Sequence, residues 1–190
     1  MKKPLILFFV VIVLAQLAVP GWMIVRRELA LAEGAAYRFR TAPVDPYDPF
    51  RGRYVMLNLE AASAPVAEGE SYRSGEKVYA LLENDDQGYV RVGGLVRDCP
   101  ETGDYLRVRV SYQQADRVQL GLPFDRYYAE ESIAPGIERA YWKHSRQQQR
   151  DAYVLVRVRK GMGVIEELYI EGLPVLEFIA QEQRKGTSGD

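Results

Sequence analysis

Residues Pro4 to Val25 carry no charged side chain, and Arg26 and Arg27 follow at once. A helix over these 22 residues rises about 33 Å, enough to cross a hydrocarbon core of about 30 Å. Beyond it the apolar spacing changes to two. Val55, Leu57 and Leu59 share one face of Tyr54–Leu59, and Leu106, Val108 and Val110 alternate with Arg107 and Arg109. The same alternation, or a short apolar run between turn residues, predicts strands at Lys77–Glu83, Gly88–Val96, Val118–Leu122, Ala152–Arg159 and Val164–Ile170. The turn chemistry of Asn84–Gly88 and Lys160–Gly163 keeps the loops short, which implies antiparallel pairing. Arginines at 107, 109, 157 and 159 fit a sheet that is wet on one face.

Helical spacing returns at Ile137, Ala140, Tyr141 and His144, with Ser132 as the expected cap and Pro135 in the first turn. This predicts one helix near 133–148, covering the sheet, with His144 on a solvated stretch. The expected architecture is mainly β, of the α+β type. A transmembrane helix precedes an antiparallel sheet or open barrel of about seven or eight strands with one covering helix. The expected boundaries are a cytoplasmic end at 1–3, the anchor at 4–25, a juxtamembrane helix extension at 26–34, the β-rich domain at 35–180 and a disordered polar tail at 181–190.

Lys2 and Lys3 before the apolar stretch, and Ala30-Leu31-Ala32 after it, also fit a cleaved signal peptide. Cleavage there would leave Arg26, Arg27 and Glu28 between the apolar core and the scissile bond, and the core exceeds the usual length of about 7–15 residues. An uncleaved anchor is the expectation. Flanking positive charges balance, two on each side, so the short N-terminus is assigned to the cytoplasm by analogy with signal anchors and the domain to the extracytoplasmic, periplasmic side.

The 190 residues carry a formal net charge of −1, and all 26 acidic residues lie after the apolar stretch while four of the 25 basic ones flank it. The remainder is therefore acidic and has no polybasic run, which excludes a general nucleic-acid surface. Cys99 is the sole cysteine and His144 the sole histidine, so neither an internal disulfide nor a typical Cys/His zinc site can form. No cofactor motif is present.

The densest local signal runs from Pro43 to Leu59. Asp45-Pro46 and Asp48-Pro49 hold their aspartates out of the α region, Arg51 and Arg53 add positive charge, and Gly52 permits a sharp turn into the strand. A self-satisfied turn explains this more readily than a binding patch. Asp125-Arg126-Tyr127-Tyr128-Ala129-Glu130-Glu131 gathers acids, an arginine and tyrosines before the predicted helix, and Arg126 could fork onto Glu131 or Asp48. Here the chain resembles the GDYXXLXY family of membrane-anchored bacterial proteins. The match runs through Asp45, Asp48, Pro49, Gly52, Tyr54 and Leu57 and continues at Pro123–Glu131 and Val164–Gly172. Arg53 and Leu59 stand where the family motif has aspartate and tyrosine. The resemblance implies an anchor, an extracytoplasmic β-rich domain without established activity, and a multi-spanning membrane protein as partner. It marks Asp45, Asp48, Arg51, Gly52, Tyr54, Leu57, Arg126, Tyr127, Tyr128 and Glu131 as candidate interaction residues.

Gly103–Val110 repeats the glycine-x-tyrosine pattern of Gly52–Leu59, either as an internal duplication or as a common way to begin a strand. Enzyme signatures are weak. Ser74-Gly75-Glu76-Lys77 has serine–lysine spacing but leads into a strand, a Cys99–His144 pair depends on proximity, and Asp85-Asp86 lacks a calcium loop. The expectation is a non-enzymatic domain engaging another membrane or envelope protein. The alternative is a hydrolase or peptidase-like domain using Asp45, Asp48, Glu130 or Glu131 in acid–base roles.

Overall fold

The computed structural model describes residues 2–42, 54–145 and 151–187. Helix α1 spans Lys2–Glu33, and its Ile6–Glu33 portion is long and apolar enough to cross a membrane. Phe8, Phe9, Leu17 and Trp22 all stay exposed along it, so that no core of the domain claims this helix. Its last turns behave differently. Ala30 is fully buried, Gly34 donates its N–H to the Ala30 carbonyl at 3.0 Å, and Glu33 accepts from Arg159 at 2.8 Å. The helix extension past Arg27 is thus docked on the β domain. Cleavage after Ala32 would cut that joint.

The chain then forms β1 (Ala35–Arg40), β2 (Tyr54–Met56), β3 (Ser63–Pro65), β4 (Lys77–Asn84), β5 (Val90–Val96), β6 (Tyr105–Gln114), β7 (Arg117–Gly121) and β8 (Arg126–Tyr128). Helix α2 (Ala134–His144) separates these from β9 (Ala152–Arg159), β10 (Met162–Ile170), β11 (Leu173–Pro174) and α3 (Val175–Thr187). Three antiparallel sheets result, ordered β1-β9-β10-β11, β2-β8 and β3-β7-β6-β4-β5. Bulges at Ile165/Glu167, Leu81/Leu82 and Val110/Tyr112 bend the long strands. Bridges Arg38–Tyr89 and Leu106–Gly161 tie the two large sheets together, giving a nearly closed, barrel-like wrap.

One core fills the interior. Alternation places Val154, Val156 and Val158 of β9 inward, where they meet Phe39 of β1 and Leu168 of β10. Phe39 packs edge-on against Phe124, ring centroids 5.0 Å apart. Gly163 makes this possible, because a methyl group there would overlap the Phe124 ring. Helix α2 adds Ile137, Ala140 and Tyr141 and lies against β2, β10 and α3.

The mainly β, antiparallel architecture and a long apolar N-terminal helix are as the sequence pattern implied. Several expectations are corrected. Eleven strands stand among the described residues rather than seven or eight: β1, six residues long, is not marked by the sequence pattern, and β3, β8 and β11 span only two or three residues each and carry no period to read. Ser132 does not cap α2. The cap position is Ile133, and the Glu130 carbonyl accepts from Ile133 and Ala134 instead, with Pro135 in the first turn as expected. The stretch 146–150, where that helix was expected to end, lies outside the described residues. The tail is not without structure from 181 onward, since α3 continues to Thr187, so α2 is not the only helix on the sheet. The β2 and β6 phrases begin with Tyr54 and Tyr105 but sit in different sheets with different neighbours, which removes the structural basis for a duplication.

Candidate interaction surface

Two three-residue strands build the most distinctive exposed face. β2 and β8 pair antiparallel with Tyr54 opposite Tyr128, Val55 opposite Tyr127 and Met56 opposite Arg126, and Leu57 N–H extends the ladder to the Asp125 carbonyl at 2.8 Å. Side chains alternate across such a ladder, so Val55 turns into the core while Tyr54, Met56, Arg126 and Tyr128 share the other side. The Tyr54 and Tyr128 rings lie 6.0 Å apart, and the Arg126 guanidinium sits 4.9 Å from the Tyr54 centroid. Tyr128 is 68% exposed and Met56 43%. This is an arginine laid over one of two mutually tilted tyrosines with a methionine beside it, held by backbone pairing rather than by burial. Arg126 also approaches Asp125, at 3.7 Å.

The remaining motif residues divide. Leu57 is core, 7% exposed. Tyr127 is half-buried, and its hydroxyl donates to Glu167 Oε1 at 2.7 Å. Burial, then that bond, push its phenol far above the usual tyrosine range. Both side chains support the fold from its interior side. Glu130 and Glu131 are exposed in the loop ahead of α2. Asp45, Asp48, Arg51 and Gly52 lie outside the described residues, so the proposed contact between their loop and Arg126 does too.

His144 is the principal departure from expectation. It is 1% exposed, not solvated. Its ring stands edge-on to Phe178 of α3 at 5.2 Å, while Nδ1 faces Asp151 Oδ1 at 2.8 Å and Glu171 Oε1 at 3.8 Å. The unforeseen α3 is what covers it. These three side chains could in principle hold a divalent ion through one atom each, all within 4.8 Å of one another. The other ring nitrogen argues against that use. Nε2 is buried without a partner among the described residues, whereas a ligating histidine ordinarily donates its second N–H to an oriented acceptor. The arrangement is better read as a buried link between the end of α2 and the strands that follow. The same end of α2 is fixed by a buried polar chain, in which Ser145 Oγ donates to Thr41 Oγ1 at 3.2 Å and Thr41 Oγ1 donates to the Ala152 carbonyl at 2.9 Å.

Other candidates resolve into local structure. Cys99 is exposed and its thiol approaches the Tyr105 hydroxyl at 3.2 Å, in a loop contact separate from the His144–Asp151 pair. Ser74 donates to the Ser111 carbonyl at 2.7 Å. Asp85 Oδ1 accepts the N–H groups of Gln87 and Tyr89 at 2.9 and 2.8 Å, an Asx turn whose backbone bonds hold the carboxyl below its ordinary range.

A docked apolar N-terminal helix ahead of a barrel-like β domain defines a class: a candidate membrane-anchored β protein. Within that class, the sequence profile described as GDYXXLXY protein matches residues 16–168, and the chain belongs to that family. No curated protein and no solved structure matches the chain.

Proposed function

We propose that this protein is a single-pass, membrane-anchored, non-enzymatic binding domain, lying on the extracytoplasmic side, that engages another membrane or envelope protein such as a multi-spanning one. The observation that carries the reading is the β2–β8 face. Tyrosine, arginine and methionine are the residues enriched in interface centres, and here Tyr54, Met56, Arg126 and Tyr128 are gathered on one exposed, backbone-paired patch. A backbone-paired patch loses little loop entropy when it docks, which favours recognition. The joint between α1 and the domain supports the anchor, since Ala30 and Glu33 are built into the fold.

The hydrolase reading has less support. The described carboxylates it would use, Glu130 and Glu131, are exposed in a loop rather than enclosed in a cleft. The test is to purify the full chain from its native membrane in mild detergent and compare recovery of a co-purifying membrane protein across variants. Arg126→Ala and Tyr128→Ala should each weaken the association by about tenfold, as for interface anchors, while melting stays within a degree or so of wild type. Unchanged recovery with both variants would move the interface elsewhere.

A further inference from the structure

On the five-stranded sheet, strand register stacks positive charge without answering it. Lys77 of β4 lies directly opposite Arg109 of β6, and the next pair on the same face is Tyr79 opposite Arg107. Like charges directly opposite each other on neighbouring strands destabilise a sheet. Arg107 reaches back over the Tyr79 ring, 6.0 Å from its centroid. Lys77 and Arg109 have no ion pair or hydrogen bond from their side chains among the described residues. On the neighbouring strand Gly121 stands opposite Arg109, so no side chain fills the space there, and Pro123 and Arg97 complete the wall. Arg97 is fixed in place by Glu76 Oε1 at 2.9 Å, Glu70 Oε2 at 3.2 Å and the Ser71 carbonyl at 2.8 Å. The result is a cleft of about 580 Å³ whose lining holds four cations, a tyrosine and no carboxylate. That volume falls within the range of small-molecule sites, roughly 300–1,000 Å³.

Its position narrows the occupant. Arg159 pairs with Glu33, the last residue of α1, and the turn that follows brings the Gly161 carbonyl to the Arg107 N–H at 2.9 Å. Gly161, at φ 79°, also lets the Arg107 side chain lie against the backbone, because a Cβ there would stand 2.8 Å from Arg107 Cγ. Only the 159–161 turn therefore separates the end of α1 from the first cation of the cleft. From Val25 to Glu33 the helix rises about 12 Å, past a headgroup layer of roughly 5–8 Å, so the end of α1 stands about 4–7 Å outside that layer, a gap that long cationic side chains can span.

We propose that this cleft binds the phosphate headgroup of an anionic lipid of the bilayer that α1 crosses. Guanidinium groups match phosphate oxygens bidentately, and an ammonium adds a point charge. Tethering by α1 keeps the headgroup concentration at the cleft high, so each contact can be individually weak. The acidic remainder of the domain disfavours an extended polyanion across the same surface. The inference depends on α1 lying in a membrane and not on the β2–β8 face having a protein partner.

The full chain in a non-ionic detergent is titrated calorimetrically with dihexanoyl phosphatidylglycerol, dihexanoyl phosphatidylcholine and inorganic phosphate. Saturable binding of the phosphatidylglycerol alone is expected, weakened about fivefold for each cation removed in Lys77→Gln, Arg107→Gln or Arg109→Gln. Arg91→Gln and Arg117→Gln, on other exposed surface, should leave it unchanged. Equal binding of the choline lipid, full affinity in the cleft variants, or inorganic phosphate binding as tightly as the lipid would overturn the proposal. Melting curves accompany each variant. Should Arg107→Gln unfold the chain, Lys77→Gln gives the same reading from a side chain with no partner to lose.

Discussion

Tyr141→Phe removes one oxygen atom and separates two contributions of this residue. Tyr141 is fully buried in the last turn of α2, and its hydroxyl both accepts the Asn58 N–H at 2.9 Å and donates to the Asn58 carbonyl at 3.2 Å. It thereby ties the helix to the chain that follows β2. Losing a buried hydroxyl that serves a backbone amide costs about 1–3 kcal/mol. For a domain of this size about 2 kcal/mol lowers the melting temperature by about 4–8 °C. The second contribution appears at high pH. Burial, the larger cause, pushes the Tyr141 phenol up from 10.0 to about 12. The folded state therefore holds its proton after the unfolded chain has released it, and stability falls as pH rises from about 10 towards 12. Two pH units correspond to about 2.7 kcal/mol when the interval is complete. Tyr37 and Tyr72, also raised to about 12 with burial as the leading cause, titrate in both proteins and cancel in the difference. Urea unfolding of the full chain in detergent, at pH 8 and at pH 11.5, reads both contributions. The wild-type advantage should be about 2 kcal/mol at pH 8 and should shrink markedly by pH 11.5. A difference that stays constant with pH would refute the assignment of Tyr141 as a neutral buried phenol.

Gly163→Ala should destabilise by about 1–3 kcal/mol, measured by thermal unfolding, because the added methyl group drives into the Phe124 ring packed on Phe39. Thr41→Val breaks the Ser145–Thr41–Ala152 chain and should cost about 1–3 kcal/mol in the same assay, an effect Ser145→Ala should largely share because the two hydroxyls act in series. Cys99 is exposed and provides a topology probe: a membrane-impermeant maleimide should modify it in intact spheroplasts, whereas labelling only after lysis would place the domain in the cytoplasm. Chelator or added zinc should leave the melting temperature unchanged, and a clear upward shift with zinc that Asp151→Asn abolishes would restore the His144 cluster as a metal site.

The strands that could be read from sequence are those whose one face is buried, because burial on alternate residues writes the period directly. β4, β6 and β9 are of this kind, and β9 matches its expected limits at Ala152 and Arg159. β3, β8 and β11 are too short for a period, and they form because neighbouring strands present free edges. α3 was hidden by composition. Its later residues are polar and suggest a solvated tail, yet Val175, Phe178 and Ile179 fall on one helical stripe that meets the core. That signal was present at spacings of three and four. α3 is what buries His144, whose own place on α2 follows from the helical spacing. For the interaction surface, the motif marked Tyr54, Arg126 and Tyr128 as special, but only the β2–β8 register separates them from Leu57 and Tyr127, which face inward. Met56, adjacent to the motif tyrosine, carried no signal of its own. The Lys77–Arg109 opposition likewise depends on pairing between segments more than thirty residues apart in sequence, which no local pattern encodes.

The central claim is that the Tyr54–Tyr128 face meets a membrane or envelope protein, and site-specific photocrosslinking in the native membrane tests it most directly. A photoreactive residue replaces Tyr128, or Met56, in the full chain, and a third variant carries it at Tyr112, whose exposure lies between theirs but which stands on the five-stranded sheet. The account predicts one discrete adduct with a membrane or envelope protein from positions 128 and 56, lost on Arg126→Ala, and none from position 112. Adducts from position 112 alone, or an adduct at 128 that survives Arg126→Ala unchanged, would contradict it.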